Sequence, residues 1–373
     1  WESRLVQPNA DGGYTFLPDA DGNQLPDFSY AGYPRGDHPV PDVPTVVFLE
    51  PQPGDDTDRI AKAIALVATR DPDDAGFRGA VELAPGRFEI AHTLDLDASG
   101  VVLRGAGDDA LGGTVLLATG TVPVNRDAIV MGSGLATNWD SEVAGSRTAI
   151  VSSTVSLGSR TIEVANASAY REGDNVIIVQ PGSDAWMDAI DHGGTATDAP
   201  WRTGEIPLVF NRYVTGLSGT TLTIDAPLFM TLDTSLAPSY VYKHSGAGIE
   251  RRIGLERLRL EIVPDGPFPA QDDSDAIWPS GHALNGIVLR GVEDAWVRDV
   301  TVTGFQLSGV LVETGSRITI QRVNAIDPGH EVVPGYLYNF NAGKAAQQIL
   351  VTESHASNGR HHFISNGMSW ASG

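Results

Sequence analysis

The sequence contains no cysteine. Disulfides, thiolate metal sites and a cysteine nucleophile are therefore excluded. Lysine is scarce as well: of 25 basic residues only Lys62, Lys243 and Lys344 are lysines, set against 47 acidic residues, for a formal net charge of −22. That balance argues against nucleic acid as a partner, and a polyanionic ligand would have to meet a local cluster of arginines. No segment approaches ~18 consecutive apolar residues, so no membrane span is expected. The opening WESRLVQPNADGG has neither a basic start nor an apolar stretch. The expectation is a soluble chain, secreted or periplasmic, from which an export signal has been removed.

Turn formers, by contrast, are plentiful. The 373 residues include 42 glycines and 23 prolines, with 41% hydrophobic and 19% charged residues, the balance of a folded, turn-rich β protein. Such a length buries a sizeable core without staples. In PGDDTDRIAKAIALVATR the apolar residues Ile60, Ala63, Ile64 and Val67 recur with helical spacing behind acidic residues suited to a helix N-terminus, and Thr57 or Asp56 is the expected cap. The segments GAVELAPGRFEI, HTLDLDASGVVLRGAG and GTVLLATG follow, short apolar runs cut by Pro-Gly, Ser-Gly and Gly-Ala-Gly, which read as short strands with tight turns.

A repeat appears near the other end. NGIVLRGVEDAWVRDVTVTG and SGVLVETGSRITIQRVNAID align with Gly286 over Gly309, Val288 over Leu311 and Val300 over Val323, a period of 23 residues. A period of this size denotes a solenoid, and strands not alternating with long helices disfavour a βαβ layout. Upstream, Leu258 matches Val300 once an insertion is allowed. Between about residues 125 and 245 the pattern breaks into GDNVIIV and a hairpin around Ser218 and Gly219, the marks of a small antiparallel sheet. The expected organisation is thus an N-terminal arm, capping helix and first coils in 1–124, an inserted antiparallel β subdomain in 125–245, and further coils in 246–373. Nothing after HHFISNGMSWASG covers the final coil, so a second polypeptide completing the solenoid is also expected.

The DDT helix, the PGRFEI strand and VVLRGAG, together with AWVRDVTVTGF, YLYNF and GRHHF, resemble the pectate-lyase-like right-handed parallel β-helix superfamily, whose members include many polysaccharide-degrading proteins. That resemblance implies an all-β solenoid and a polysaccharide as substrate.

Candidate chemistry falls in four groups. In AQDDSDAIWPSGHALNGI, Asp272, Asp273, Asp275 and His282 lie close together; such carboxylates could hold Ca²⁺, serve as the acid and base of a hydrolase, or form a solvated acidic loop. On the last coils Tyr338, Lys344, Arg360, His361 and His362 supply the residue types that β-elimination of a uronic-acid glycan needs, neutralising the carboxylate and moving the protons. Arg298 and Glu313 sit on the repeat itself as substrate-binding candidates. Trp186 and Trp201, with Tyr213, could form a wall for sugar rings or hold a long loop down. The sequence ranks a polysaccharide lyase first, a glycoside hydrolase with paired carboxylates second, and a non-catalytic carbohydrate-binding β-helix third.

Overall fold

The computed structural model describes residues 3–36, 38–120, 126–135, 139–194, 200–205, 207–263, 283–329 and 335–365. They fall into two compact units, one within Trp1–Tyr30 and Thr137–Ala247, the other within Ala31–Ala136 and Gly248–Gly367.

The second unit is built on a parallel sheet. Along its longest path run the strands Thr45–Leu49, Gly79–Leu83, Val101–Arg104, Gly254–Ile262, Asn285–Thr303, Ser308–Ala325, Tyr338–Ala342 and His361–Ser365. Each pairs in parallel with the next. The registers put Leu258 beside Val300, Val300 beside Val323, and Val288 beside Leu311, as the repeat requires. A parallel sheet stacked in this way fits a β-helix. Because parallel neighbours lie about 4.8 Å apart, apolar residues at equal offsets form continuous columns, and Leu103, Leu255, Leu258, Val300, Val323 and Phe340 belong to one buried core.

The corners of the coils use a conformation that side chains rarely adopt. Positive φ, which crowds Cβ against the backbone, recurs at Thr314 and Ala345; at Asp294, Arg317 and Gln348; at Asp299, Arg322 and Glu353; and at Asp327 and Asn358. Gly291 and Gly304 head the first and last of these series. Successive members are 23 residues apart in the first step of each series and 31 in the second, where the turn is longer.

Helix Thr57–Ala68 buries Ile60, Ala63, Ile64 and Val67 in this same core. Its N-terminus differs from expectation. Asp56 occupies the cap position but its carboxylate takes the Arg59 guanidinium at 2.5 Å, and Asp55 Oδ1 accepts from the Thr57 amide at 2.9 Å instead. The same Asp55 oxygen also accepts from Ala91 N at 3.1 Å, tying the helix to the coil after Gly86–Ile90. The chain leaves this unit after Ala136 and returns at Gly248. The two points are held together: Ser133 Oγ donates to Gly248 O at 2.6 Å and Ser133 N to Gly291 O at 3.3 Å.

The first unit is antiparallel. Its main sheet runs Thr148–Ala149, Tyr240–Lys243, Asn175–Gln180, Leu208–Ser218, Thr221–Ile224, Thr161–Glu163. The strand from GDNVIIV and the hairpin turning at Gly219, where φ is +60°, are both present. Val176, Ile178, Phe210, Val214, Leu222 and Val241 fill its core.

Candidate functional site

Alternation along the short strands decides which side chains leave the solenoid core. Leu94 and Leu96 are buried in it, so Asp95 between them faces the other way. In Asp127–Met131 the side chains of Ala128, Ile129 and Met131 enter the core, whereas Val130 joins Val288 and Leu311 in a separate buried strip on the opposite face. The registers place Asp95 beside Val130, Val130 beside Val288 and Val288 beside Leu311. A polar column flanks this strip, in which Asp127 pairs with Asn285, Asn285 with Ser308, Ser308 with Tyr338 and Tyr338 with His361. On its other flank Arg290 pairs with Glu313.

The face is held by charge. Arg290 donates through Nε to Glu313 at 2.8 Å and through Nη1 to Asp127 at 3.3 Å, while Asn285 Nδ2 donates to the other Asp127 oxygen at 2.8 Å. Burial works against the Arg290 cation, but Glu313 and Asp127 outweigh it and hold its pKa above the ordinary value. The side chains of Asp127 and Glu313 stay partly open, 18% and 29% exposed. Asp95 has the opposite character. Asp95 is exposed, yet desolvation by its surroundings first, then the charges of Asp97 and Asp127, raise its pKa from the ordinary value. One face therefore carries a carboxyl whose pKa is raised beside two carboxylates that share an arginine.

Of the residues singled out from sequence, Tyr338, His361 and Glu313 lie on this face. The Tyr338 ring, nearly buried, stacks on His361 with centroids 5.7 Å apart and an interplanar angle of 18°. His362 does not join them. It follows the alternation of Asn339, whose buried amide donates inward to Ala325 O and Ser357 O, so the two histidines of the pair face opposite ways. Arg360 is exposed, and its backbone N–H donates to Leu337 O at 2.8 Å. Lys344 is exposed beyond the end of Tyr338–Ala342, its carbonyl accepting from Thr314 N at 2.8 Å. The five residues expected to act together are thus divided between two faces.

Arg298, Trp186 and Trp201 have contacts within the fold. Arg298 binds the fully buried Glu256 at 2.6 and 3.1 Å, and that carboxylate also accepts from Arg104 Nε at 2.7 Å and Trp296 Nε1 at 3.1 Å. Its charge serves a structural cluster. Trp186 is 6% exposed and packed in the core of the antiparallel unit, where an indole offers no stacking platform. It lies in the helix Asp184–Ala189, its N–H capped by Ser183 Oγ at 3.0 Å. Trp201 is partly buried against the same core, its carbonyl accepting from His192 Nδ1 at 2.9 Å, which favours the role of holding the loop down. Asp272, Asp273, Asp275 and His282, and with them the Ca²⁺ expectation, lie outside the described residues. Among the described residues no group of three or more His, Asp or Glu side chains is arranged to hold a metal ion, and no helix is long and apolar enough to cross a membrane.

Asp95, Asp127 and Arg290 were not anticipated. The alternation Leu94, Asp95, Leu96 carried a signal, and so did the one-repeat spacing of Arg290 and Glu313.

No family model matches the chain, and no curated protein matches it. Among solved structures it is similar to the tailspike protein gp49 from Pseudomonas phage LKA1, with 18% identity and a TM-score of 0.40 over 77% of this chain and 41% of that one. It is also similar to the Gp54 tailspike of Acinetobacter baumannii bacteriophage AP22, solved in complex with A. baumannii capsular saccharide, with 9% identity and a TM-score of 0.33 over 81% of this chain and 48% of that one. A third is PfbA, a surface adhesin of Streptococcus pneumoniae, with 9% identity and a TM-score of 0.29 over 88% of this chain and 66% of that one. The chain spans less than half the length of the two tailspikes, 41% and 48%.

Proposed function

We propose that the chain is a carbohydrate-active enzyme that hydrolyses a glycosidic bond on the carboxylate face of a right-handed parallel β-helix, with helix Thr57–Ala68 closing one end of that solenoid. The observation that carries this reading is the contrast between Asp95 and Asp127. Hydrolysis of a glycoside needs one carboxylic acid to protonate the leaving oxygen and one carboxylate to act as base or nucleophile, and the two must differ in proton affinity. Asp95, raised by desolvation and by its acidic neighbours, has the character of the acid. Asp127, paired with Arg290 and hydrogen-bonded by Asn285, has the character of the base. Glu313, on the far side of Arg290, shares in holding that cation. A glycan fits the half-open setting of these groups, and an external polymer suits the secreted or periplasmic location expected from the sequence.

Elimination stands second. Tyr338 stacked on His361 supplies a proton-transfer pair on the same face, and this favours it. Against it, the arginine on this face is engaged by two carboxylates and so is not offered to a uronate.

The test is product analysis on a panel of acidic and neutral polysaccharides, with and without chelator. New reducing ends without the ultraviolet absorbance of an unsaturated uronide mark hydrolysis; that absorbance marks elimination. In the first case Asp95→Asn and Asp127→Asn each lower kcat by about 10²-fold or more, the range of a lost acid or base, while His361→Ala retains turnover. Loss of activity in His361→Ala with full activity in Asp95→Asn reverses the assignment.

A further inference from the structure

A polar cavity lies wholly within the antiparallel unit. Its floor comes from two paired strands, Thr161–Glu163 and Thr221–Ile224, which set Ile162 beside Leu222 and Glu163 beside Thr221. Ile162 and Leu222 enter the core, so by alternation Thr161, Glu163 and Thr221 stand on the other face. In Thr154–Val155 the same rule sends Val155 inward and leaves Thr154 exposed. The N-terminal arm supplies the opposite wall. Gln24 N donates to Leu157 O at 2.9 Å, while Asn23 Oδ1 accepts from Leu157 N at 3.2 Å and from Thr231 Oγ1 at 3.0 Å. Gly158, at a φ of +82°, lets the arm approach, since a Cβ there would lie 2.7 Å from Gln24 O. What remains is a cavity of about 580 Å³ whose lining includes Gln24, Thr154, Ser156, Thr161, Glu163 and Thr221.

The lining is rich in hydroxyls and poor in charge. Among the described residues, the hydroxyls of Thr154, Thr161 and Thr221 and the carboxylate of Glu163 are taken up by no hydrogen bond or ion pair. Arg160, which also lines the cavity, is engaged: Nη1 donates to Tyr30 Oη at 2.7 Å and Nε to Ile224 O at 3.1 Å. With that cation held and Glu163 open, an anionic ligand is disfavoured. A hydroxyl donates and accepts at once, as the hydroxyls of a sugar do, and a carboxylate can take adjacent sugar hydroxyls in charge-assisted bonds. The volume falls in the range of about 300–1,000 Å³ that holds a small molecule. An aromatic platform stands beside the cavity. Leu228 N donates to Ser159 O at 3.0 Å and its carbonyl accepts from Gly158 N at 2.8 Å, which brings Phe229 next to the lining. The arm lays Phe28 on Phe229, ring centroids 5.2 Å apart at 18°. Phe28 stays 61% exposed, so its second ring face is open, and the C–H face of a pyranose stacks on such a surface.

We propose that this cavity binds an uncharged saccharide. The inference concerns holding a glycan, not cleaving one, and is independent of the carboxylate face. Protein carrying Asp127→Asn, in which hydrolysis is suppressed, is titrated calorimetrically with D-glucose, D-galactose, N-acetyl-D-glucosamine, cellotriose and chitotriose, with D-glucuronate and glycerol as controls. Saturable binding of at least one neutral sugar, without glycerol binding, is expected. Glu163→Ala and Phe28→Ala, both at exposed positions, each weaken it at least tenfold, about 1.4 kcal/mol, with the melting temperature unchanged. A wild-type protein that cleaves no glycan but binds in this way refutes the catalytic reading and leaves this one standing. No saturable binding, binding confined to glucuronate, or binding that both variants leave intact overturns the proposal.

Discussion

Both units bury full charges, and the contacts that receive them differ in how far they reach along the chain. In the parallel unit Glu256 is completely buried and is met by side chains from neighbouring coils, Arg104 on one side and Arg298 and Trp296 on the other. In the antiparallel unit Arg212 is equally buried, and its guanidinium reaches backbone carbonyls: Nη1 donates to Asn211 O at 2.8 Å, Nη2 to Pro227 O at 2.7 Å and Nε to Ala226 O at 3.1 Å. A repeating coil presents a new side chain at each position every turn, so a buried charge finds its counter-charge one storey away. In the antiparallel unit the carbonyls that receive Arg212 come from its own strand and from the segment that follows Thr221–Ile224. The consequence is that the Glu256 contacts couple one parallel strand to the next, whereas these Arg212 contacts stay within one hairpin and the segment after it.

Glu256→Gln puts that contrast under the greatest strain. It leaves the buried Arg104 and the half-buried Arg298 without the Glu256 carboxylate, and the expected cost is about 3 kcal/mol, seen as a lowered denaturation midpoint with hydrogen exchange accelerated across the strands that carry Arg104 and Arg298. Protection lost at Glu256 alone would contradict coupling between coils. Arg212→Met tests the other unit. It strands buried carbonyls without a charge to satisfy them, an effect of about 1–3 kcal/mol, and faster exchange should be confined to the strands Leu208–Ser218 and Thr221–Ile224. The smallest change is made at the surface, where a column supplies like charges as well as opposite ones. Asp97 is the second cause of the raised pKa of Asp95, after desolvation. Asp97→Asn therefore lowers that pKa without abolishing the rise. Since a general acid works protonated, the alkaline limb of kcat/KM against pH should move to lower pH; a limb that stays in place would show that Asp95 is not the acid.

The parallel sheet was legible where the repeat is contiguous. Val300 and Val323 pair as their spacing demands, and the hairpin at Gly219 follows from its turn residues. Helix Thr57–Ala68 was equally plain from its apolar spacing, although its first-turn contacts went to Asp55. The carboxylate face was not legible, because Asp127 and Asn285 are neighbours across 158 residues and no local period joins them. The corners were hidden for another reason. Asp294, Asp299, Arg317 and Arg322 adopt a conformation usually signalled by glycine, so strands that bend read as one unbroken run. His361 and His362 looked like a pair only because adjacency in sequence was taken for adjacency in space; in a strand it means the reverse. The tryptophans left two readings open, since an indole serves a sugar or a core equally well.

The bond between Ser133 Oγ and Gly248 O bears on how such a molecule can change. It pins the exit and re-entry of the excursion to one spot on the coil, so the coil's geometry does not depend on how many residues lie between the two points. Lengthening a loop whose ends are already fixed costs only slowly more entropy. A solenoid clasped in this way can exchange whole modules at that position, or gain new ones, while the carboxylate face keeps its registers, and recombination can alter what the protein carries without touching the chemistry beside it.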